Sequence, residues 1–185
     1  EALMAAAKAR PGRLNFGAGG AGSGQRLSVE LFLAQAGLKM GFIPYRGNSE
    51  ALNALLGGDL DLVIIGLPPI KGHLATARLK AIAPTGATRS PLLPEVPTVA
   101  ELAQLPGYTA DSWVGLFAKP KTPPEVVRQL QNDVAVALKS PDVQAYYRAN
   151  DYATGGDSSE AFARRIAADR ETYRKVIQSA GITVD

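Results

Sequence analysis

Four short β-type runs, at residues 14–16, 40–45, 60–66 and 79–83, alternate with stretches of helical spacing in the first half of the chain, and this alternation limits the possible folds more than any other feature. Strands separated by helix-length segments cannot be joined as hairpins. They pair in parallel, and the intervening helices cross over the faces of the sheet. The helices are punctuated accordingly. One runs from about Gln25, turns Leu27, Leu31 and Leu33 or Ala34 inward, and stops at Gly37; a second begins near Ser49 and ends at Gly57-Gly58; Pro68-Pro69 opens a third.

The pattern then changes. Between Thr85 and Tyr108 lies a connection carrying Pro91, Pro94, Pro97 and Pro106, interrupted by a short helix that Thr98 and Glu101 open as a capping box. One more apolar run, residues 113–118, follows, and the rest is helical. Thr122-Pro123-Pro124-Glu125, Ser140-Pro141, and Asp157 with Glu160 are helix starts, the last leading into an amphipathic helix through Phe162, Ile166, Tyr173 and Ile177 before Gly181. These helices have apolar faces but only one local strand to cover. An apolar stripe must be buried, so they either pack back on the first sheet or belong to a second lobe whose own sheet is absent here.

Composition removes several function classes. The 20 basic and 17 acidic residues are scattered, with no run of five of one sign, so a nucleic-acid stripe is not indicated. With no cysteine, disulfides, thiolate catalysis and sulfur-based zinc sites are excluded. Apolar runs such as residues 62–67 are too short to span a bilayer, and residues 1–10 form an alanine-rich helical pattern without a signal-peptide layout. The chain opens in mid-helix, as though a segment upstream were missing.

The segment Phe16-Gly17-Ala18-Gly19-Gly20-Ala21-Gly22-Ser23 lies between an expected strand and an expected helix. Glycines permit positive φ and let backbone N–H groups converge, and the helix N-terminus favours an anion. Ser23 can cap that helix or donate its hydroxyl to the same ligand; the alternative is a tight turn with a serine cap and no ligand. Gly17, Gly19 and Gly22 also satisfy G-x-G-x-x-G, the dinucleotide fingerprint. A nicotinamide site asks for an acidic residue after the next strand, whereas this chain has Tyr45-Arg46-Gly47, and Arg46 suits at best the 2′-phosphate of NADP.

The loop Pro44-Tyr45-Arg46-Gly47-Asn48-Ser49 ends the second strand, so it falls on the same sheet edge as the glycine turn. Arg46 can pair with a carboxylate or be merely solvated, and Tyr45 can wall a pocket or sit at the edge of the core. The third strand exit, with Gly66, adds backbone only. Trp113 reads equally as ligand wall or as core. Catalysis has little support. His73 is the only histidine and has no serine or cysteine partner at recognisable spacing, Ala21 stands where a nucleophile elbow at Ser23 needs glycine, and Asp59 with Asp61 has no further metal ligand nearby. The residues thus describe a non-catalytic α/β binding module for a small anion, with no cofactor and no metal, and an NADP-binding enzyme domain is the alternative.

Ordered matches along the chain resemble the substrate-binding proteins of the tripartite tricarboxylate transporters, the TctC or Bug family. They include Pro11-Gly12-Arg13-Leu14-Asn15-Phe16-Gly17, Gly20-Ala21-Gly22-Ser23 followed by Leu27 and Glu30-Leu31-Phe32, and Pro44-Tyr45-Arg46-Gly47 with Ala51-Leu52 and Leu55-Leu56-Gly57-Gly58. Leu67-Pro68, Arg89-Ser90-Pro91, Pro94-Glu95-Val96-Pro97-Thr98-Val99-Ala100-Glu101, Pro106-Gly107-Tyr108 and the run from Trp113 to Phe117 continue them. The resemblance implies a periplasmic-binding-protein-like (type II) fold and a periplasmic receptor that closes two α/β lobes around a small di- or tricarboxylate or amino acid and presents it to a membrane permease. It assigns residues 1–111 to one ligand-binding lobe and 112–185 to the crossover strand and helices of the other. It implies ligand contacts from Ala18, Gly19, Gly20, Ala21, Gly22 and Ser23, to which the reading of the residues adds Tyr45, Arg46, Gly66 and Trp113 as candidates. Ala18 stands where the family often has serine, Arg26 where histidine is common, and Ile65-Gly66 where a more polar pair is found, so the pocket is expected to be less polar. The family's N-terminal lobe has no counterpart here, from which weaker binding and self-association through an exposed half-interface are expected.

Overall fold

The computed structural model describes residues 2–20 and 22–183. Three parallel strands, β1 (Asn15–Ala18), β2 (Gly41–Pro44) and β3 (Leu62–Val63), form a sheet in the order β2-β1-β3. Phe16 pairs with Phe42 on one side and Leu62 on the other, which sets the register. The helices of this part are α1 (Ala2–Ala9), α2 (Gly24–Ala36) and α3 (Asn48–Gly57). The connection β1-α2-β2 runs to one side of β1 and β2-α3-β3 runs back across it, so right-handed crossovers put α2 and α3 on opposite faces.

The face carrying Phe16 is the core. Phe16, Val29, Leu33, Leu38 and Ala7 are buried together, with Phe42, Leu62 and Met4 packed against them, so α1 and α2 cover the same side. Phe16 is wholly buried and its ring lies 5.3 Å from that of Phe42. Helix α2 stops where the sequence indicates: Gly37 takes φ 63° and its N–H donates to the Leu33 carbonyl. Gly58 closes α3 likewise with φ 89°.

A 3-10 turn (Pro68–Ile70) and the short α4 (Lys71–Ala75) follow β3, and α5 (Val99–Ala103) interrupts the proline-rich connection. Thr98 and Glu101 form the expected capping box, and Glu101 is also gripped by the Arg89 guanidinium, whose Nη2 lies 2.9 Å from Oε1. A second core cluster joins Leu31 on the other flank of α2 to Tyr108, Ala110 and Val176, and the buried Tyr108 hydroxyl donates to the Ser28 carbonyl at 3.2 Å.

Two expected strands do not form. Residues 79–83 and 113–118 are irregular. A strand exists only where a neighbour completes its ladder, and among the described residues neither segment has one. At 79–83 the run also ends against Pro84, which has no N–H to contribute.

The chain divides into two compact units, Glu1–Ser112 with Thr172–Asp185, and Trp113–Glu171. The second holds α6 (Pro124–Ala137), α7 (Pro141–Asn150) and most of α8 (Ser159–Ala180). All three begin at or within two residues of the starts read from the sequence. Within this unit Trp113 donates its indole N–H to Asp169 at 2.7 Å and meets Phe162 edge to face, while the Phe162 ring fills the space a side chain at Gly115 would need.

Candidate functional site

Three parallel strands point their carboxyl ends to one edge, and the order in which strands are added reverses about β1, the kind of position at which open α/β sheets take ligands. Two turns meet there. Ala18, buried at the end of β1, accepts from both the Gly20 N–H and the Tyr45 N–H at 2.9 Å, so one carbonyl ties the glycine turn to the loop after β2. The two approach closely enough that a Cβ on Gly19 would lie 3.1 Å from the Gly47 Cα, and the Asn48 side chain lies alongside. A side chain at 19 would press on the Gly47 backbone, which would have to give by a few tenths of an ångström.

Gly20 has φ 93° and bends the turn. It is not one of the three glycines of the G-x-G-x-x-G spacing. Gly17, the first of those, lies inside β1 in register with Ile43 and Val63, where a side chain would strike Leu60 and the Tyr45 ring. Beyond the turn, Gly22 is exposed, Ala21 lies outside the described residues, and Ser23 is the N-cap of α2, its hydroxyl accepting from the Arg26 N–H at 3.3 Å.

In the second loop Tyr45 is half-buried with one ring edge against Gly17, and Arg46 is exposed. The Arg46 N–H donates to Glu50 at 2.8 Å, and no ion pair engages the Arg46 guanidinium among the described residues. Helix α3 opens at Gly47 without a side-chain cap. Two helix N-termini and a cationic side chain thus share one edge, an arrangement that attracts an anion and supplies backbone donors for it. Gly66 is exposed beyond β3, next to Pro68, and Trp113 belongs to the other compact unit.

Sequence reading passed over Asn48 and Glu50. The signal for Glu50 was present, since it is the third helical residue after Gly47, the spacing at which an acidic side chain reaches back to an unpaired N–H. In the sequence Arg26 stands out only as a departure from the family. Its guanidinium carbon stands 4.0 Å over the Phe42 ring and its Nε lies 3.7 Å from Glu30, with only 13% and 17% of the two side chains exposed. Burial raises the Glu30 carboxyl above its usual range, while Arg26 pulls it down.

His73 lies on α4, and no group of His, Asp or Glu suited to a metal occurs among the described residues.

The parallel α/β sheet has the fold of the periplasmic-binding-protein type. The family model of the tripartite tricarboxylate transporter family receptor matches residues 1–182, and the chain belongs to that family. A protein of Pseudomonas sp. (strain P51), described as the UPF0065 protein in the tcbD-tcbE intergenic region, is 34% identical over 175 residues, which are 95% of this chain and 52% of that protein. Protein BugT of Bordetella pertussis is 36% identical over 143 residues, 77% of this chain and 44% of its own length. Among solved structures, R. palustris Rpa4515 with adipate superposes with a TM-score of 0.84 at 35% identity, covering 98% of this chain and 60% of that one. MatC (Rpa3494) from Rhodopseudomonas palustris with bound malate gives 0.75 at 27% identity, covering 95% and 60%. The chain spans about half the length of the curated relatives it matches.

Proposed function

We propose that this chain takes part in solute capture, holding a small carboxylate without chemical change in the periplasm for the permease of a tripartite tricarboxylate-type transporter. The observation that carries the reading is the junction of the glycine turn and the Tyr45-Arg46 loop through the single Ala18 carbonyl, which aims two helix N-termini and one cation at the same edge. The ligand class in this reading is a di- or tricarboxylate or an amino acid, and adipate and malate in two similar structures support the dicarboxylate. Ala18, Gly19, Gly20, Ala21, Gly22 and Ser23 supply main-chain and hydroxyl contacts in this reading. Arg46 supplies the charge, and Tyr45 and Gly66 border the ligand. Residues 1–111 act as one ligand-binding lobe, and 112–185 contribute the crossover segment and helices of the other.

Calorimetric titration of adipate and of malate into the protein tests this. A carboxylate that binds, with affinity about tenfold lower in Arg46→Ala, is the expected result, since a charge-assisted hydrogen bond contributes about 1.5–3 kcal/mol. Stabilisation by NADP and by no carboxylate overturns it.

A further inference from the structure

Arg26 links the first turn of α2 to β2, beside the backbone junction that the Ala18 carbonyl makes between the two loops. Its N–H belongs to the first turn of α2 and donates to Ser23, the last residue of the glycine turn. Its side chain leaves that turn and lies across the Phe42 ring on β2, the edge strand that runs directly into Tyr45 and Arg46. Phe42 is itself fixed, in register with Phe16 and in ring contact with it. Glu30, one turn further along α2, pairs with the guanidinium, its Oε1 3.7 Å from the Arg26 Nε. An arginine on an aromatic face, shielded from water, is a directional contact that a flexible apolar side chain does not reproduce.

We propose that Arg26 is a positioning residue: by clamping the first turn of α2 to Phe42 it holds the glycine turn and the Tyr45-Arg46 loop in register. It touches no ligand and acts through the two loops. The inference rests on the reading of those loops as the carboxylate site, but its first test does not depend on any ligand.

Residue-resolved amide hydrogen exchange on the full chain compares wild type with Arg26→Met, Arg26→Lys and Phe42→Leu. In Arg26→Met, the Gly20, Ser23, Arg26-position and Tyr45 amides exchange about tenfold faster, equivalent to ~1.4 kcal/mol of local opening. The amides of Val29 and Leu33 keep their protection. Phe42→Leu accelerates the same loop amides, adding nothing when combined with Arg26→Met, and Arg26→Lys restores part of the protection because the charge remains over the ring. Unchanged loop exchange in Arg26→Met, or acceleration spread evenly over α2 and the sheet, overturns the proposal. Titration of adipate and malate then separates the two readings. A loop effect with weaker carboxylate binding supports both; a loop effect in a protein that binds neither acid supports the clamp and removes the carboxylate site.

Discussion

Single residues at the site edge are constrained in different ways. Gly20 is required by backbone conformation alone, since no atom stands where its side chain would be while φ is 93°. Gly20→Ala is therefore expected to lower stability by about 1–2 kcal/mol, measured by urea denaturation, without any steric clash. Gly19 is constrained by its neighbour, the Gly47 backbone, whose Cα would lie 3.1 Å from a Cβ at that position. Both residues read simply as glycine in the sequence. The run Gly17 to Gly22 showed that a turn followed the strand, but not which glycine bends and which one touches, because that depends on how far β1 extends. The strand reaches Ala18, two residues beyond the expected end, and absorbs Gly17 into the ladder.

At the scale of elements, the helix boundaries were the most readable feature of the chain. Caps are local: Ser23, Gly37, Gly58 and the Thr98–Glu101 box act within four residues of where they stand in the sequence. The Arg89 contact was not readable, because it joins residues twelve apart across the proline-rich connection. Hydrogen bonds from Arg89, then from the Thr98 N–H, lower the Glu101 carboxyl to about 2. Its folded value is below its unfolded one, so its stabilising contribution is complete above about pH 4.5 and is lost as the pH falls toward 2. Urea midpoints at pH 5.5 and pH 3 are expected to fall further in wild type than in Glu101→Gln; equal falls would show that the contact does not support the connection. Thr98→Ala should cost about 1 kcal/mol at neutral pH by removing the other half of the box.

For the whole molecule, stability is expected to be uneven. None of the buried core residues falls between Trp113 and Glu171, whereas Val114, Leu116 and Phe117 are 100%, 77% and 73% exposed. Local opening costs least where few apolar contacts are broken. Amides of α6 and α7 should therefore exchange faster than those of β1 and α2, and limited proteolysis should cut first near Lys119 and Lys121. Equal protection in both units would contradict this.

By itself the sequence determined the α/β class, the helix ends, the glycine turn and the receptor family, because periodicity, caps and ordered motifs are written in neighbouring residues. Only the tertiary structure decided that residues 79–83 and 113–118 form no strand, that Gly17 lies in the ladder, and that Arg26 rests on Phe42. The physical reason is the same in each case. A strand needs a partner and a clamp needs a surface, and both are supplied by residues distant in sequence, whose placement follows from the fold.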